Sequence, residues 1–233
     1  MSKETFGISR EKLQKSGFMP GEGFSARGIR SFWDLLRFAR LARTEGEFRS
    51  REIAEVDPSF QQLIMYAVVF NNEGDFLLYE RSKGQGYNEG RLAGKVSMGV
   101  GGHMEAHDKS LTQSLYRELA EELVVWKDGK IVDLSKERRG IKDLAKVSVI
   151  GIIKDDSEPV GQVHVGVLCF VKPKNPNTEI HIRTDNGENV RSQYLNDWQY
   201  LELVRKGRVE PEGWTKIAFA MVSGLPEIDE VAG

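Results

Sequence analysis

The succession of patterns along the chain predicts an α+β protein layered as α/β/α. Three observations carry this reading. Apolar strand patterns flank one amphipathic helix at 110–125, a glycine-rich segment leads into that helix, and an apolar tail from about Trp214 reads as a closing helix.

Residues 1–56 are rich in Arg, Lys, Glu and Gly and read as a helical extension packed on a main domain at 57–233. Within the extension, SFWDLLRFARLAR at 31–43 predicts a helix with Ser31 as N-cap. Phe32, Leu35, Leu36 and Ala39 share one apolar face, and Arg37, Arg40 and Arg43 tend outward. That face could rest on the main domain, cover the site as a lid, or join two copies in a homodimer.

From Leu63 the pattern becomes that of strands. LIMYAVVF at 63–70 and FLLYERS at 76–82 flank a turn containing Gly74 and predict a hairpin. A polar, glycine-rich stretch follows, and then Val96, Met98 and Val100 alternate as a short strand entering a loop. Ser110 and Gln113 have the spacing of a capping box, and Leu111, Leu115, Leu119 and Leu123 recur every fourth residue of the central helix. Asp128-Gly129 marks a turn, and KVSVIGIIK at 146–154 and QVHVGVLCFV at 162–171 read as strands. Cys169 in the second of these is a core residue.

Composition narrows the function classes. Hydrophobic residues at 39% and charged residues at 29% fit a globular protein rather than a disordered or fibrous one. The formal charge of −2 creates no global field for nucleic acid or an anionic membrane, so neither is expected as a partner. With one cysteine, no intramolecular disulfide and no cysteine-based zinc site can form. The polar start of the chain has no apolar core of the kind a secretory signal needs, and no apolar run approaches the roughly 20 residues of a membrane helix. A cytoplasmic protein acting on a small molecule is the expectation.

The chemistry concentrates in GGHMEAHDKSLTQSLYRELAEEL. Glu118, Glu121 and Glu122 fall within a sector of roughly 100° on one helix face. Carboxylates at these spacings repel one another, and a hard cation such as Mg²⁺ or Mn²⁺ relieves the repulsion. Mg²⁺ typically binds through few carboxylates together with substrate phosphates. The Gly101-Gly102 pair lets backbone atoms approach a ligand without side-chain obstruction. Arg117 could hold a carboxylate by a bidentate pair or contact a phosphate, with the first role favoured. A solvated Glu/Arg-rich helix face is the competing explanation, and the glycine pair before the helix argues against it.

This segment resembles the Nudix box of MutT-like hydrolases, Gx5Ex7REUxEExGU with U apolar. Arg117, Glu118, Leu119, Glu121 and Glu122 fill REUxEE, and Gly101 and Gly102 fill the preceding glycines. Similar pieces at 55–66, 77–82 and 90–104 extend the likeness to the MutT-like phosphoesterases, a Nudix branch. The resemblance implies a Nudix-type α/β/α sandwich with a mixed β-sheet, the N-terminal extension being part of the architecture. It implies that Gly101 offers a carbonyl to the metal, that Glu121 and Glu122 are ligands, and that Glu118 is a ligand or the base activating water. Glu118 and Arg117 are then the catalytic candidates, and Mg²⁺, with Mn²⁺ as a substitute, is the cofactor.

Two departures stand out. Asp108 occupies the place of the box glutamate, with eight residues before Arg117 instead of seven, and Lys109 fills the other alignment. Val124 replaces the box glycine, so the helix should run about a turn further without the left-handed cap.

Other candidates surround this motif. His103 could contact phosphate, assist proton transfer or fasten the loop, whereas a His103/His107 zinc pair is weakly supported. Arg81 and Arg91 could bind substrate phosphates or form surface ion pairs. Glu188 is the favoured later-loop carboxylate for completing the metal site, with Asp185 and Glu179 as competitors. The expected activity is hydrolysis of a phosphoanhydride or phosphoester in a nucleoside diphosphate-like small molecule. A non-catalytic Nudix-like binding module is the main alternative. An isomerase of the isopentenyl diphosphate type is disfavoured because Cys169 sits in a poor context for it.

Overall fold

The computed structural model describes residues 3–19, 26–29, 31–81, 94–134, 140–183 and 191–224. In chain order the first half forms β1 (Glu4–Ser9), α1 (Arg10–Lys15), β2 (Ala26–Gly28), α2 (Phe32–Glu45), β3 (Gly46–Ser50), α3 (Arg51–Ala54), β4 (Phe60–Val69), β5 (Phe76–Glu80), β6 (Val96–Ser97) and β7 (Gly99–Val100). The second half forms α4 (Leu111–Glu122), β8 (Leu123–Lys127), β9 (Lys130–Val132), β10 (Ala145–Ile153), α5 (Pro159–Gln162), β11 (His164–Pro173), β12 (Thr178–Ile182), β13 (Ser192–Leu195), α6 (Asp197–Arg205) and α7 (Gly213–Ser223).

The largest sheet has the order β2-β10-β11-β4-β1-β3, with β7 also paired to β4; β12-β8-β9 and β13-β5-β6 make two smaller sheets. β1 is antiparallel to both β3 and β4. β4 and β11 run in the same direction, since Gln62 N–H donates to Val163 O at 2.9 Å and Phe70 N–H to Val171 O at 2.8 Å. The sheet is therefore mixed, as an α+β protein of the expected kind requires. β4 is buried at nine of its ten positions, the near-continuous apolar pattern of a strand covered on both faces.

The chain forms two compact units: Met1–Tyr66, Gly101–Glu118 and Val149–Cys169 make the first, and Ala67–Val100, Leu119–Ser148 and Phe170–Gly233 the second. In the first, residues 1–56 supply strands as well as helix: β1 pairs with β4 through Gly7↔Gln62, Ile8↔Gln61 and Ser9↔Phe60. Gly7 is needed at that contact, because a Cβ there would stand 2.5 Å from Gln61 O. Ser31 caps α2 as expected, accepting from Asp34 N–H at 3.1 Å. The buried face of α2 is a different one from that expected. Phe38 and Ala42 are buried, while Phe32 is 66% and Trp33 72% exposed and Leu36 and Ala39 are also exposed. Phe38 faces the Phe18 ring, edge on at 5.2 Å, and this anchor sets the helix rotation that general apolar spacing left open.

In the second unit, the turn at 71–75 forms, with Asn71 Oδ1 accepting from Glu73 N–H (3.0 Å) and Asp75 N–H (2.8 Å). The hairpin expected around it is reduced to one bridge, Phe70↔Phe76, because β5 leaves to pair with β6 and β13. Asp128 (φ 52°) and Gly129 (φ 73°) both adopt positive φ in the β8–β9 turn, as the Asp-Gly signal predicts. Phe76, Tyr200 and Phe219 bring β5, α6 and α7 together, with ring centroids 4.6 to 5.9 Å apart.

The central helix ends at Glu122, not near Val125 or beyond. Val124 and Val125 are β-branched and join strand β8, which pairs on both sides, with β12 and β9. No left-handed cap is needed, because Arg183 takes over the orphan carbonyls. Its N–H donates to Glu122 O at 2.7 Å, and its Nη2 to Ala120 O at 3.1 Å and Leu123 O at 3.2 Å.

Candidate functional site

Two glycines open the site. Gly101 has φ 136°, and a Cβ on it would lie 2.0 Å from Met65 O, so only glycine fits. Gly102 passes its carbonyl to Met65 N–H at 2.9 Å, which ties the loop to β4. A Cβ on Gly102 would stand 2.7 Å from Glu118 Oε2, so the missing side chain is what makes room for that carboxylate.

Helix α4 then begins at a partly reciprocal cap. Ser110 Oγ accepts from Gln113 N–H at 3.1 Å, but the Gln113 side chain accepts from Lys109 N–H, one residue before the capping box position. Lys109 is exposed and Asp108 is buried, which decides between the two alignments of the box acid. Asp108 Oδ2 accepts from Glu105 N–H at 3.0 Å and from Arg117 Nη2 at 2.7 Å. Burial alone would raise the Asp108 carboxyl; the Arg117 and Glu105 hydrogen bonds and the Arg117 charge outweigh it and hold the group below its ordinary value.

Arg117 is the hub of this half of the site. Besides Asp108, its Nη1 donates to Glu118 Oε1 at 2.7 Å and its Nη2 to His103 O at 2.8 Å. Burial opposes its charge, but the two carboxylates more than compensate and raise it further. A planar guanidinium bonded to Asp108, Glu118 and the loop backbone acts as a positioning residue for Glu118. Glu118 itself is 8% exposed, a buried carboxylate with an arginine on one side and a side-chain-free glycine on the other.

Glu121 and Glu122 follow on the same helix, exposed and half-buried respectively. In the second unit Glu122 lies within electrostatic reach of the Tyr79 phenol. Burial pushes that phenol up, the Arg81 charge opposes this, and the Glu122 and Glu212 charges add to it. Arg81 has a carboxylate partner: its Nε donates to Glu212 Oε2 at 2.8 Å, and Ser97 Oγ donates to Glu212 Oε1 at 2.6 Å. The ion-pair alternative for Arg81 is thus the arrangement present. Arg91 and Glu188, and with it Asp185, lie outside the described residues. Glu179 is on β12, where its Oε2 is 3.3 Å from His181 Nε2.

His103 forms a single bridge to Ile64 of β4, and its Nε2 is 3.1 Å from His164 Nε2. Burial first, and then positive charge around Arg51, His164 and Lys3, depress its protonation well below the ordinary value, so its imidazole is neutral at neutral pH. His107 pairs instead with Glu105, Nδ1 to Oε2 at 3.4 Å, and is not joined to His103.

Sequence reasoning did not single out His164, Glu55, Glu212 or Arg183. His164 left a trace as a polar residue at the head of an otherwise apolar run, and Asn196 and Gln199 left the unused capping-box signature of α6. Glu212 and Arg183 left none, since their partners are more than 60 residues away in sequence.

Glu118, Glu121 and Glu122 are three carboxylates on α4, and the Gly102 cradle accommodates the most buried of them; carboxylate oxygens are donors of the kind a hard divalent cation takes.

No family model matches the chain. Protein YmaB of Bacillus subtilis is 34% identical over 151 residues, which is 61% of this chain and 65% of that protein. The chain thus aligns with less than two thirds of that relative's length. The crystal structure of Tm1382, a candidate Nudix hydrolase, superposes with a TM-score of 0.67 at 21% identity, covering 96% of this chain and 99% of that one. At that identity the likeness speaks for architecture alone. The chain shares the fold of that structure, a Nudix-type fold.

Proposed function

We propose that the chain hydrolyses a phosphoanhydride or phosphoester bond in a small, nucleoside diphosphate-like molecule, in a Mg²⁺-dependent reaction for which Mn²⁺ can substitute. The observation that carries this reading is the Arg117 bridge, which fastens Glu118 on the glutamate helix to Asp108 and to the glycine loop. A solvated surface helix has no use for a half-buried arginine that locks one of its acids in place.

Glu118, Glu121, Glu122 and the Gly101 carbonyl would hold the cation, which supplies neutralisation of phosphate charge and a lowered pKa for bound water. The chain's own residues do the rest. Arg117 keeps Oε1 of Glu118 engaged and so orients the carboxylate that would take the proton of the attacking water. Asp108 fixes the guanidinium and thereby the angle of the Glu118 carboxylate.

The test is a screen of nucleoside diphosphate derivatives, dinucleoside polyphosphates, sugar phosphates and phosphodiesters with Mg²⁺ and Mn²⁺, read by phosphate and nucleotide release. Glu122→Gln, which removes a ligand charge at constant size, should lower Mg²⁺-dependent turnover by about 100-fold or more. Full turnover in that variant would refute the ligand assignment. Thermal stabilisation by a substrate with no product formed would turn the reading to a binding module.

A further inference from the structure

Besides the carboxylates of the glutamate helix, the first unit gathers a second set of metal-ligating atoms from three separate segments. Glu55 follows the short helix α3, His103 belongs to the loop after the glycine pair, and His164 opens β11. One ligand atom from each of these residues lies within 4.8 Å of the others. We propose that Glu55, His103 and His164 form a zinc-type metal site, separate from the Mg²⁺ carboxylates, with the fourth coordination position open to water.

The tautomer of His164 follows from its surroundings. Its Nδ1 is 2.6 Å from Val160 O, and a carbonyl only accepts, so Nδ1 carries a hydrogen and Nε2 is the nitrogen left to ligate a metal once any proton on it is displaced. That nitrogen is 3.1 Å from Nε2 of His103. Two imidazole nitrogens at about 2.0–2.1 Å from one tetrahedral zinc ion stand roughly 3.3 Å apart, so the pair is already near ligating separation. Glu55 Oε1 is 3.8 Å from His164 Nε2, within a small side-chain rotation of the same spacing. A hydrogen bond between the two rings would account for the short distance, but not for a carboxylate converging on the same point.

The Val160 carbonyl on His164 Nδ1 is an outer-shell partner of the kind that orients a ligating imidazole, and the Glu55 carboxylate and the backbones that carry the two histidines are fastened as well. Arg51 Nε donates to Glu55 Oε1 at 3.2 Å, Arg117 Nη2 donates to His103 O at 2.8 Å, and Lys154 Nζ donates to His164 O at 3.1 Å. The positive charges of these partners are offset locally, Arg51 by Glu55 and Lys154 by Asp156. Two imidazoles and one carboxylate are a borderline donor set that suits zinc, and Mg²⁺, which prefers oxygen, competes poorly for it.

The experiment uses the full chain stripped with a chelator and titrated with Co²⁺ in a large excess of Mg²⁺, which keeps the helix carboxylates occupied. The expected result is one Co²⁺ per chain with the intense visible absorption of four-coordinate cobalt, displaced by one equivalent of Zn²⁺. His103→Gln and His164→Ala should each weaken Co²⁺ binding by about 100-fold or more. Glu121→Gln/Glu122→Gln should leave the band unchanged while abolishing Mg²⁺-dependent turnover, which separates this site from the hydrolytic one. Far-ultraviolet circular dichroism of the metal-free variants checks that they fold; should His164→Ala not fold, His103→Gln, on a loop, decides. No such band in the wild type, or a band that survives in the folded histidine variants, overturns the proposal.

Discussion

Gly102 shows how a residue with no side chain can determine a site. A methyl group there would meet the Glu118 carboxylate at 2.7 to 2.9 Å, and Glu118 cannot yield freely because Arg117 holds its Oε1. Gly102→Ala should therefore destabilise the fold by about 1–3 kcal/mol and lower turnover of the folded protein by about 100-fold, the cost of a misplacement on the order of 1 Å. Steady-state kinetics well below the melting temperature checks this; full turnover in the folded variant would count against it. The glutamates and glycines of this loop were legible in the sequence because their spacing is local. Asp108 was not, because counting along the chain leaves it level with Lys109. What separates them is the turn at 105–108, closed by Asp108 N–H donating to Glu105 O at 2.9 Å, which delivers the Asp108 side chain to Arg117.

Helix α4 is stabilised at its end by a residue that belongs to another segment. Arg183 supplies hydrogen bonds to three of the last carbonyls, where a glycine cap would satisfy them locally. Arg183→Ala should cost about 2 kcal/mol, judged from the worth of hydrogen bonds made by a charged group, and should speed amide exchange at 119–123 more than elsewhere. Urea unfolding and hydrogen exchange read the two effects. The same element shows why its length was misjudged: Leu111, Leu115, Leu119 and Leu123 continue the fourfold spacing past the true end, and Leu123 is buried in strand β8 as it would be in a helix. Periodicity reports burial, and burial outlasts the helix. In α2 the same logic fails differently, since Phe32 and Leu36 fit the period but Phe38 has the ring of Phe18 to pack against.

Across the whole molecule, acid should be the weak side of stability. Asp108 and Asp156 are both held below their ordinary carboxylate range. For Asp156, burial pulls the other way but hydrogen bonds and charge from Arg10 and Lys154 prevail. A depressed folded-state pKa gives stability that is complete above the unfolded value of about 4 and is lost as pH falls through the folded one. The melting temperature should thus drop as the pH falls below about 4, and Asp108→Asn should make that limb shallower; an identical acid limb in the variant would show that Asp108 contributes nothing. The α+β class and the central helix were legible because they rest on periodicity, and the mixed sheet was expected only through the resemblance of the glycine and glutamate motif to the Nudix box. The division into two compact units and the three-segment Glu55/His103/His164 group were not, since both arise from contacts between segments far apart in sequence. The junction between Glu122 and Leu123 adds a constraint on chain length, because α4 passes into β8 with no intervening residue. A helix repeats every 3.6 residues and a strand every two, so a joint without slack locks the phase of one to the phase of the other. One inserted residue would either turn the glutamates by about 100° or swing Val125 out of the interior. Insertions and deletions should therefore be tolerated in the turn at 128–129 and rejected at 122–123, a point where substitutions alone can adjust the protein.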